Sequence, residues 1–493
     1  MATAAQVVKR WAILGHRWLG VALCSLFTLW FLSAIPMVYV SFPEVTERDR
    51  LAHAPALDAA AVRVAPAAAY AALAAGGPPA RTVLEVVDGR PAYRFTLDSG
   101  DAIVYADDGA RRPPPTPAML RAAAAAWAGA SAGEPAASAM ALPDQWTLEG
   151  ALRTTRPMWK FSFPDGQQVY VTGKDARVVQ WTTPRARALA WIGPIPHFLY
   201  FAPLRRHRDV WWWLVLALSG IGAASALLGL GIAWTTFSPS RRFRRKGAPA
   251  YLPYSGQKRW HDIFGLSFGI TACTWAFSGM LSLEPFPPPE TPFTGAAGRV
   301  ERATRAPAPL EAFDGRGPAE ALRALPGASV KTLELAAVAG EPMYVATDGA
   351  GNATFVPLAG APVADYGAAR GVDAMRAAAA PAALDIRELT RYDAWYRDRR
   401  HELPLPVLLV TEHGTDSVRL YVDPAAMRVV GRYRDANWTE RWLYHGLHSL
   451  DFPWLYDHRP LWDIVVITLL LGGVALCVTS LILAWRVLQR TLP

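Results

Sequence analysis

Long apolar runs alternate with long mixed segments along this chain of 493 residues. Four of the runs have about 20 residues or more, which is enough for a helix to cross the hydrocarbon core of a bilayer. The mixed segments contain stretches in which apolar and polar residues alternate, as in strands with one buried face. The pattern therefore predicts four membrane-spanning helices and two large domains outside the membrane. The four runs are Trp18–Val40, Val210–Thr235, Ile263–Leu283 and Leu461–Trp485.

The mixed segments carry recognisable hairpins. In the first segment, TVLEVVDGRPAYRFTL has an Asp-Gly turn between two β-rich runs, and MWKFSFPDGQQVYVTGKDARVVQW follows an Ala-rich helix predicted at Pro117–Ala130. In the second segment, SVKTLELAAVAGEPMYVATDG precedes a helix predicted at Val372–Ala380, and VLLVTEHGTDSVRLYVDPAAMRVVG comes after it. This common order predicts four small modules of helix and antiparallel sheet, two in each outer domain.

The two halves of the chain are copies of each other. His197–Trp234 aligns without gaps on His448–Trp485 with 14 identities in 38 positions, and His16–Ala34 aligns on His261–Gly279 with four identities in 19. A tandem duplication explains this similarity. The identical pairs include His16/His261, Gly20/Gly265, Trp30/Trp275, Ser33/Ser278, His197/His448, His207/His458, Arg208/Arg459, Trp211/Trp462 and Trp234/Trp485.

The predicted fold is an α-helical membrane protein, in which a four-helix transmembrane bundle from a tandem duplication carries two periplasmic α+β domains. Hydrophobic residues make up 52% of the chain and charged residues 18%, which fits a membrane protein. The predicted divisions are a cytoplasmic N-terminus with the first span (1–41), outer domain 1 (42–208), the second span (209–236), a basic cytoplasmic loop (237–259), the third span (260–284), outer domain 2 (285–459), and the fourth span with a cytoplasmic C-terminus (460–493).

Basic residues at the ends of the spans predict the orientation. They cluster before the first span, between the second and third, and after the fourth, so these parts are expected in the cytoplasm of a bacterium, at its inner membrane. Arg205, Arg206 and Arg208 lie on the other side and oppose this assignment. The basic residues beside the spans explain the formal net charge of +9, so nucleic-acid binding is not needed to account for it. The expected partner is a lipid bilayer.

The order of several short motifs resembles the PepSY-associated transmembrane family. These motifs are HRWLG at a helix start, the strand–turn–strand outer module, PHFLYF, WHDIFGLSFG and LHSLDFP, and the similarity covers essentially the whole chain. Characterised relatives in that family include inner-membrane ferrisiderophore reductases. The resemblance implies a four-helix, haem-binding reductase with periplasmic PepSY domains.

Histidines matched between the two copies are candidate axial ligands of haem b, because two imidazoles saturate haem iron and favour electron transfer. His16 and His261 are predicted to bind one haem near the cytoplasm. Gly20 and Gly265 lie one turn further along and leave room for a porphyrin, although close helix packing is a competing use of glycine. Cysteine is not expected to take part, since no CxxCH motif is present.

A second haem is predicted at the outer side, between His197 and His448, whose neighbours are aromatic and uncharged. His207 and His458 are only secondary candidates as ligands, because each is followed by arginine at the water boundary, where it could instead hold haem propionates. His445 is a further secondary candidate, as an alternative ligand or a hydrogen-bond donor to one.

Other residues are expected to support these sites. The possible partners of haem propionates are Arg17, Arg259, Arg208 and Arg459. Trp30 and Trp275 either shorten the electron path or simply pack the bundle. The tryptophans expected in interfacial belts are Trp211–Trp213, Trp234, Trp462 and Trp485. An aromatic rim for docking is expected from Phe198, Tyr200, Phe201, Phe452, Trp454 and Tyr456.

The predicted function is transmembrane electron transfer through two haems. The cytoplasmic segments are too short for a nicotinamide or flavin domain and have no GxGxxG, so the expected donor is a separate cytoplasmic reductase or quinol. The resemblance implies a ferric siderophore, or another periplasmic acceptor, as the oxidant. Two alternatives remain open: a haem-free PepSY protein that regulates, binds a peptidase or senses, and a haem-bearing subunit of another enzyme.

Overall fold

The computed structural model describes residues 4–287 and 293–491. Within them, four helices are long and apolar enough to cross a membrane, in agreement with the four predicted spans. In chain order, spanning helices 1 to 4 are Ala4–Met37, Arg208–Thr236, Gly256–Leu281 and Leu461–Thr491.

The four helices pack as a closed bundle. Helix 1 packs against helices 2 and 4, and helix 3 packs against the same two helices. Helices 1 and 3 are matching parts of the two copies, so matched residues face each other across the diagonal of the bundle. Glycine allows the close approach: a Cβ at Gly473 would collide with the ring of Phe31, and a Cβ at Gly222 would lie 2.6 Å from Phe27 Cζ.

Helix 1 begins well before its apolar run. The prediction started the span at Trp18, whereas the helix starts at Ala4 and His16 lies three turns inside it. Hydropathy marks only the part of a helix that is apolar, and polar residues such as Lys9 and Arg10 continue the same helix beyond that part.

The outer segments of the two copies share one seven-stranded antiparallel sheet. The seam pairs Thr82–Glu85 of copy one with Thr332–Leu335 of copy two. The sequence pattern predicts four separate modules, whereas the first modules of the two copies pair through one strand each and form a single sheet. In spatial order the strands are Ala353–Pro357, Glu341–Asp348, Val330–Val338, Arg81–Val87, Arg90–Leu97 and Gly100–Tyr105, with Ala306–Pro307 also pairing with Val330–Val338.

The second module of each copy is a separate four-stranded antiparallel sheet with a helix beside it, as predicted. The two predicted helices are present at Pro117–Ala128 and Ala368–Ala379. In copy one, Leu120 and Ala124 of that helix are buried against Phe161 and Val169 of the sheet. The strands are Ala136–Met140, Met158–Ser162, Gln168–Thr172 and Val178–Thr182 in copy one, and Asp385–Leu389, Val407–Glu412, Val418–Asp423 and Arg428–Arg434 in copy two.

Short helices connect these units to the bundle. The α-helices are Glu47–His53, Pro66–Ala71, Pro184–Ile192, Pro194–Phe198, Ala202–Arg205, Gly295–Thr304, Pro318–Arg323, Leu447–Ser449 and Pro453–Tyr456. Thr439–Gly446 is a π-helix, and the 3-10 helices are Ala130–Ala132, Gly150–Arg153, Leu310–Gly315 and Asp435–Asn437. A small hairpin of Phe243–Arg245 and Ala248–Ala250 lies between spanning helices 2 and 3.

Two of the tryptophans expected in interfacial belts lie in the core instead. Trp211 is 6% exposed and Trp462 is 1% exposed, whereas Trp213, Trp234 and Trp485 lie on the outside of the bundle. The prediction was wrong for Trp211 and Trp462 because each indole has a partner in the chain, described below.

Candidate functional site

His197 and His448 face each other at one end of the bundle. Their ring centroids are 6.0 Å apart, with an angle of 66° between the ring planes. His197 lies on the short helix Pro194–Phe198 and His448 on Leu447–Ser449. Two residues after each histidine, a leucine turns the chain with a left-handed conformation, at φ 51° for Leu199 and φ 50° for Leu450. A bulky residue rarely adopts this conformation, and both copies keep it at the same place.

The two buried tryptophans hold these turns. Trp211 Nε1 donates to the carbonyl of Phe198 at 2.9 Å, and Trp462 Nε1 donates to the carbonyl of Ser449 at 3.1 Å. The acceptors are matched residues of the two copies, each directly after a histidine. The indoles therefore fix the position of both histidine-bearing turns against spanning helices 2 and 4.

His16 and His261 form a second pair inside the bundle. Their ring centroids are 6.1 Å apart and their planes are 38° apart. Gly229 of helix 2 makes room for the first ring, since a Cβ there would lie 2.6 Å from Cε1 of His16. The structure thus brings together both predicted pairs, although their role as ligands stays a prediction.

Each of the four rings makes its hydrogen bonds through Nδ1. His16 Nδ1 donates to the carbonyl of Ser225 at 2.9 Å, and His261 Nδ1 lies 3.3 Å from Thr479 Oγ1. His197 Nδ1 lies 3.3 Å from Ser33 Oγ, and His448 Nδ1 lies 3.0 Å from Ser278 Oγ. With Nδ1 occupied, Nε2 is the nitrogen that each ring has available for a metal.

The hydroxyl partners also define the tautomer. Ser33 donates its own proton to the carbonyl of Trp30, Ser278 to that of Trp275, and Thr479 to that of Leu476. A hydroxyl that donates to a carbonyl offers its oxygen as an acceptor, and this arrangement favours the tautomer with the hydrogen on Nδ1 of the histidine. Nε2 is then unprotonated and has a lone pair, which is the form that binds a metal.

The spacing of both pairs fits one metal ion between the two rings. An imidazole nitrogen sits about 2 Å from a metal that it ligates, which puts the ring centroids of two opposite ligands roughly 6 Å apart. No cluster of three or more His, Cys, Asp or Glu that could hold a metal ion occurs in residues 4–287 and 293–491. Two imidazoles alone leave most of the coordination sphere open, so these sites suit an ion whose other ligands come from a cofactor such as porphyrin.

Each pair opens on a mostly apolar cavity. The outer cavity has a volume of about 250 Å³ and the inner one about 150 Å³. Gly20 and Gly265 line the inner cavity, and a Cβ built on either would meet no atom within 4 Å. The space beside both glycines is therefore open, as a flat ring system beside His16 and His261 would require. The outer cavity is lined by Trp30, Phe31, Ala34, Trp275, Gly279 and Ser282, among others.

Burial keeps the outer histidines neutral. Loss of solvent lowers the pKa of His197 to about 4, and the same effect, reinforced by the neighbouring His197, lowers the pKa of His448 to about 3. Both rings are therefore neutral at pH 7, with a hydrogen on one ring nitrogen and none on the other.

The secondary histidine candidates lie elsewhere. His207 and His458 are exposed and have no ring contact with each other among the residues described. His445 points into a neighbouring pocket, where its Nε2 lies 3.8 Å from Glu440, and its ring packs on Tyr444. None of the three histidines lines the cavity between His197 and His448.

The four arginines predicted beside the cofactors also take different positions. Arg459 forms an ion pair with Asp463 that includes a 2.6 Å hydrogen bond, and Arg208 lines a separate cavity on copy one. Arg17 packs over Trp18, and neither Arg17 nor Arg259 belongs to the lining of the inner cavity. Their role beside a cofactor remains a prediction.

Trp30 and Trp275 both line the outer cavity. The Nε1 atom of each is buried and has no hydrogen-bond partner in the part of the chain that the structure describes. An unpaired buried donor in both copies is unusual, because such groups are nearly always satisfied. The indoles therefore fit a place against a bound group better than a role in packing alone.

Four further residues of this site were not among the residues predicted from the sequence. Ser33 and Ser278 orient the outer histidines, and their identity in the two copies could have identified them. Arg399 lines the outer cavity and donates to the carbonyl of Met37 at 3.3 Å, which makes it a candidate partner for an acidic group there. Asp262 lines the inner cavity with a buried oxygen that lacks a partner among the described residues. Nothing in the sequence distinguishes Arg399 or Asp262 from other charged residues.

Neither the models of known protein families nor the curated proteins match this chain. The coarse architecture, four candidate membrane helices with α+β domains between them, therefore rests on the structure itself.

Proposed function

We propose that this chain is a transmembrane electron-transfer protein that holds two haem b groups and reduces a periplasmic acceptor, as its resemblance to the PepSY-associated transmembrane family implies. The observation that carries this proposal is the presence of two histidine pairs with ligand-like spacing, 6.1 Å and 6.0 Å between ring centroids. A single pair has many structural uses. Two matched pairs, in which every ring makes its hydrogen bonds through Nδ1, indicate metal ligation more specifically than one pair does.

The distance between the pairs suits passage across a membrane. Ser33, which contacts His197, comes 17 residues after His16 on spanning helix 1, a rise of about 25 Å. That is close to the thickness of a bilayer's hydrocarbon core, about 30 Å. One pair would therefore lie near each face of the membrane.

The residues of the chain would do three things at each site. Nε2 of the two histidines would ligate iron, the hydroxyl or carbonyl partner would hold the ring in position through Nδ1, and the apolar lining would exclude water. Bound haem would supply a one-electron Fe(III)/Fe(II) couple whose potential depends on its axial ligands and burial. Trp30 and Trp275, beside the outer pair, would lie along the electron path.

The topology supports a common outer side. A sheet seam joins Thr82–Glu85 to Thr332–Leu335, which supports a place for both outer segments on one side of the membrane. The basic loop between helices 2 and 3 then lies on the opposite side, which the positive-inside rule assigns to the cytoplasm. We propose the bacterial inner membrane, a separate reductase or quinol as donor, and a ferric siderophore or other ferric complex as acceptor.

Haem content of the purified protein tests the proposal directly. The expected result is an absorption spectrum of low-spin haem b and two haems per chain in the pyridine haemochrome assay. Replacing His16 or His448 with Ala should each remove about one haem, and His458→Ala is the matched control that should retain both. Protein without haem, from cells supplied with iron and haem precursor, would refute the proposal and favour the haem-free sensor or peptidase-binding alternative.

A further inference from the structure

A basic cavity opens on copy one beside the start of spanning helix 2. Its volume is about 670 Å³. Five arginines line it, with His207 and a single carboxylate, Asp209. The arginines are Arg153, Arg156, Arg205, Arg206 and Arg208. In the part of the chain described, none of the five forms an ion pair with a carboxylate within 4 Å.

Backbone groups hold part of this arrangement in place. Arg206 Nε donates to the carbonyl of Pro143 at 2.7 Å, and Arg156 Nη1 donates to that of Ala141 at 3.2 Å. One loop therefore orients two of the guanidinium groups from one side of the cavity. Carbonyl acceptors leave the positive charge of both groups uncompensated.

Arg205 differs from the other four arginines because it is buried. It is only 8% exposed, and its Nε and Nη1 are buried without a hydrogen-bond partner among the described residues. Its guanidinium lies over the rings of Trp211, at 4.4 Å, and Tyr200, at 5.1 Å. Glu149 interacts with its charge but forms no ion pair with it within 4 Å among the described residues. A buried guanidinium with free donors is costly unless an anion contacts it directly.

The cavity belongs to copy one alone. Arg205 and Arg206 correspond to Tyr456 and Asp457 in copy two. Arg208 corresponds to Arg459, whose charge is neutralised by Asp463. The matching position in copy two therefore lacks this cluster of arginines, and the cluster is the group of basic residues in copy one that opposes the positive-inside assignment.

A line of aromatic rings joins the cavity to the outer histidine pair. The ring of Phe198 lies 5.4 Å from that of His197 and 5.3 Å from that of Tyr200, and Arg205 packs on Tyr200. Copy two has Ser449 and Asp451 at the positions of Phe198 and Tyr200, so it has no such connection.

We propose that this cavity is the docking site for the electron acceptor and that the acceptor is an anionic ferric chelate with carboxylate or catecholate oxygens. Guanidinium groups bind such oxygens in pairs, which gives both affinity and orientation. The electron route rests on the function proposed above, whereas anion binding does not. In the redox step the reduced protein gives one electron to Fe(III), which becomes Fe(II); no proton moves, and the chelate leaves with a more weakly held ion.

The test measures binding with a redox-inert probe. The full-length protein in nanodiscs of zwitterionic lipid is titrated calorimetrically with a triply negative gallium(III) tris-catecholate and, separately, with a neutral gallium(III) tris-hydroxamate. We expect the anion to bind more tightly, and Arg206→Gln with Arg208→Gln to weaken it about tenfold or more. Arg205→Gln should also weaken binding of the anion if the variant folds. Because Arg206 and Arg208 are exposed, their double variant tests the proposal even if Arg205→Gln does not fold.

Matched controls separate this inference from the function. Arg323→Gln removes an exposed arginine far along the chain and should leave binding unchanged. Arg206→Lys with Arg208→Lys keeps the positive charge but loses the paired guanidinium donors, so it should weaken binding less than the double glutamine variant does. Haem content, measured in parallel, reports on the proposed function alone. Equal affinity for both probes, or no loss in the Arg206/Arg208 variant, would overturn the inference.

Discussion

Ser278 Oγ lies 3.0 Å from Nδ1 of His448, and it donates its own proton to the carbonyl of Trp275. Ser33 stands in the same relation to His197 and Trp30 in the other copy. Both serines are essentially buried, so water cannot replace either hydroxyl. Each serine is a positioning residue that fixes which nitrogen of the ring is free.

Removal of this hydroxyl should loosen the outer site without abolishing it. For Ser278→Ala we expect haem affinity at the outer site to fall about 10- to 100-fold, because Ser278 orients His448, the proposed iron ligand. Ser278→Thr should retain most of the affinity. Haem titration of protein expressed without haem measures the effect, and the low-spin EPR signal of the outer site should change while that of the inner site does not.

The open space at Gly265 should be needed for the inner cofactor. A leucine there would occupy the cavity beside His261, so Gly265→Leu should remove about one haem of two and leave the outer one. Gly231, on helix 2, also has open space around a Cβ but does not line the inner cavity, so Gly231→Leu is the matched control. If Gly265→Leu retained both haems, the assignment of the inner haem to the cavity beside Gly265 would be wrong.

The outer histidines should make the haem-free protein sensitive to acid. In the folded chain, burial lowers the pKa of His197 to about 4 and of His448 to about 3, compared with about 6.5 when unfolded. As the pH falls below 6.5, the unfolded state binds protons that the folded state does not. Stability should therefore fall between pH 6.5 and 4, by an amount on the order of 2 kcal/mol per histidine.

Thermal unfolding of the haem-free protein between pH 7.5 and 4.5 measures this effect. A variant with His197→Gln and His448→Gln should show a flatter dependence over the same range. An equally steep fall in the variant would attribute the acid sensitivity to other groups.

Close packing at Gly473 should be essential to the bundle. A Cβ there meets the ring of Phe31, so Gly473→Ala should destabilise the protein by about 1–3 kcal/mol. Gly231→Ala, in open space, should have a much smaller effect. Adding Phe31→Leu to Gly473→Ala should recover part of the loss, because the two changes act on one contact. The measurement is the thermal unfolding, in detergent, of the unchanged protein, Gly473→Ala, Gly231→Ala and the double variant.

Much of this architecture was accessible from the sequence. Four apolar runs are enough to find the spanning helices, and the Asp-Gly turn at 88–89 marks a hairpin that is present. The matched histidines came from comparing the two copies, and the structure brings His16 to His261 and His197 to His448. Local pattern and internal repetition both carry such information without knowledge of the tertiary fold.

Other features depend on contacts that no local pattern encodes. The seam between Thr82–Glu85 and Thr332–Leu335 joins residues about 250 positions apart. The local sequence of each strand predicts a strand but not its partner. Trp211 was misassigned because tryptophan near a membrane end suits an interface, and only the fold reveals its bond to Phe198. Arg399 comes from a loop of the second outer domain and reaches a cavity between helices.

The seam also constrains the order in which the protein can be made. A ribosome completes the strand Arg81–Val87 long before it reaches Val330–Val338, and helices 2 and 3 must be inserted in between. Until the second outer segment has been made, the first one keeps an unpaired edge, and such an edge readily pairs with other chains. The first half therefore has to wait for the second before its sheet is complete, and during this interval its exposed edge is most open to pairing with another chain.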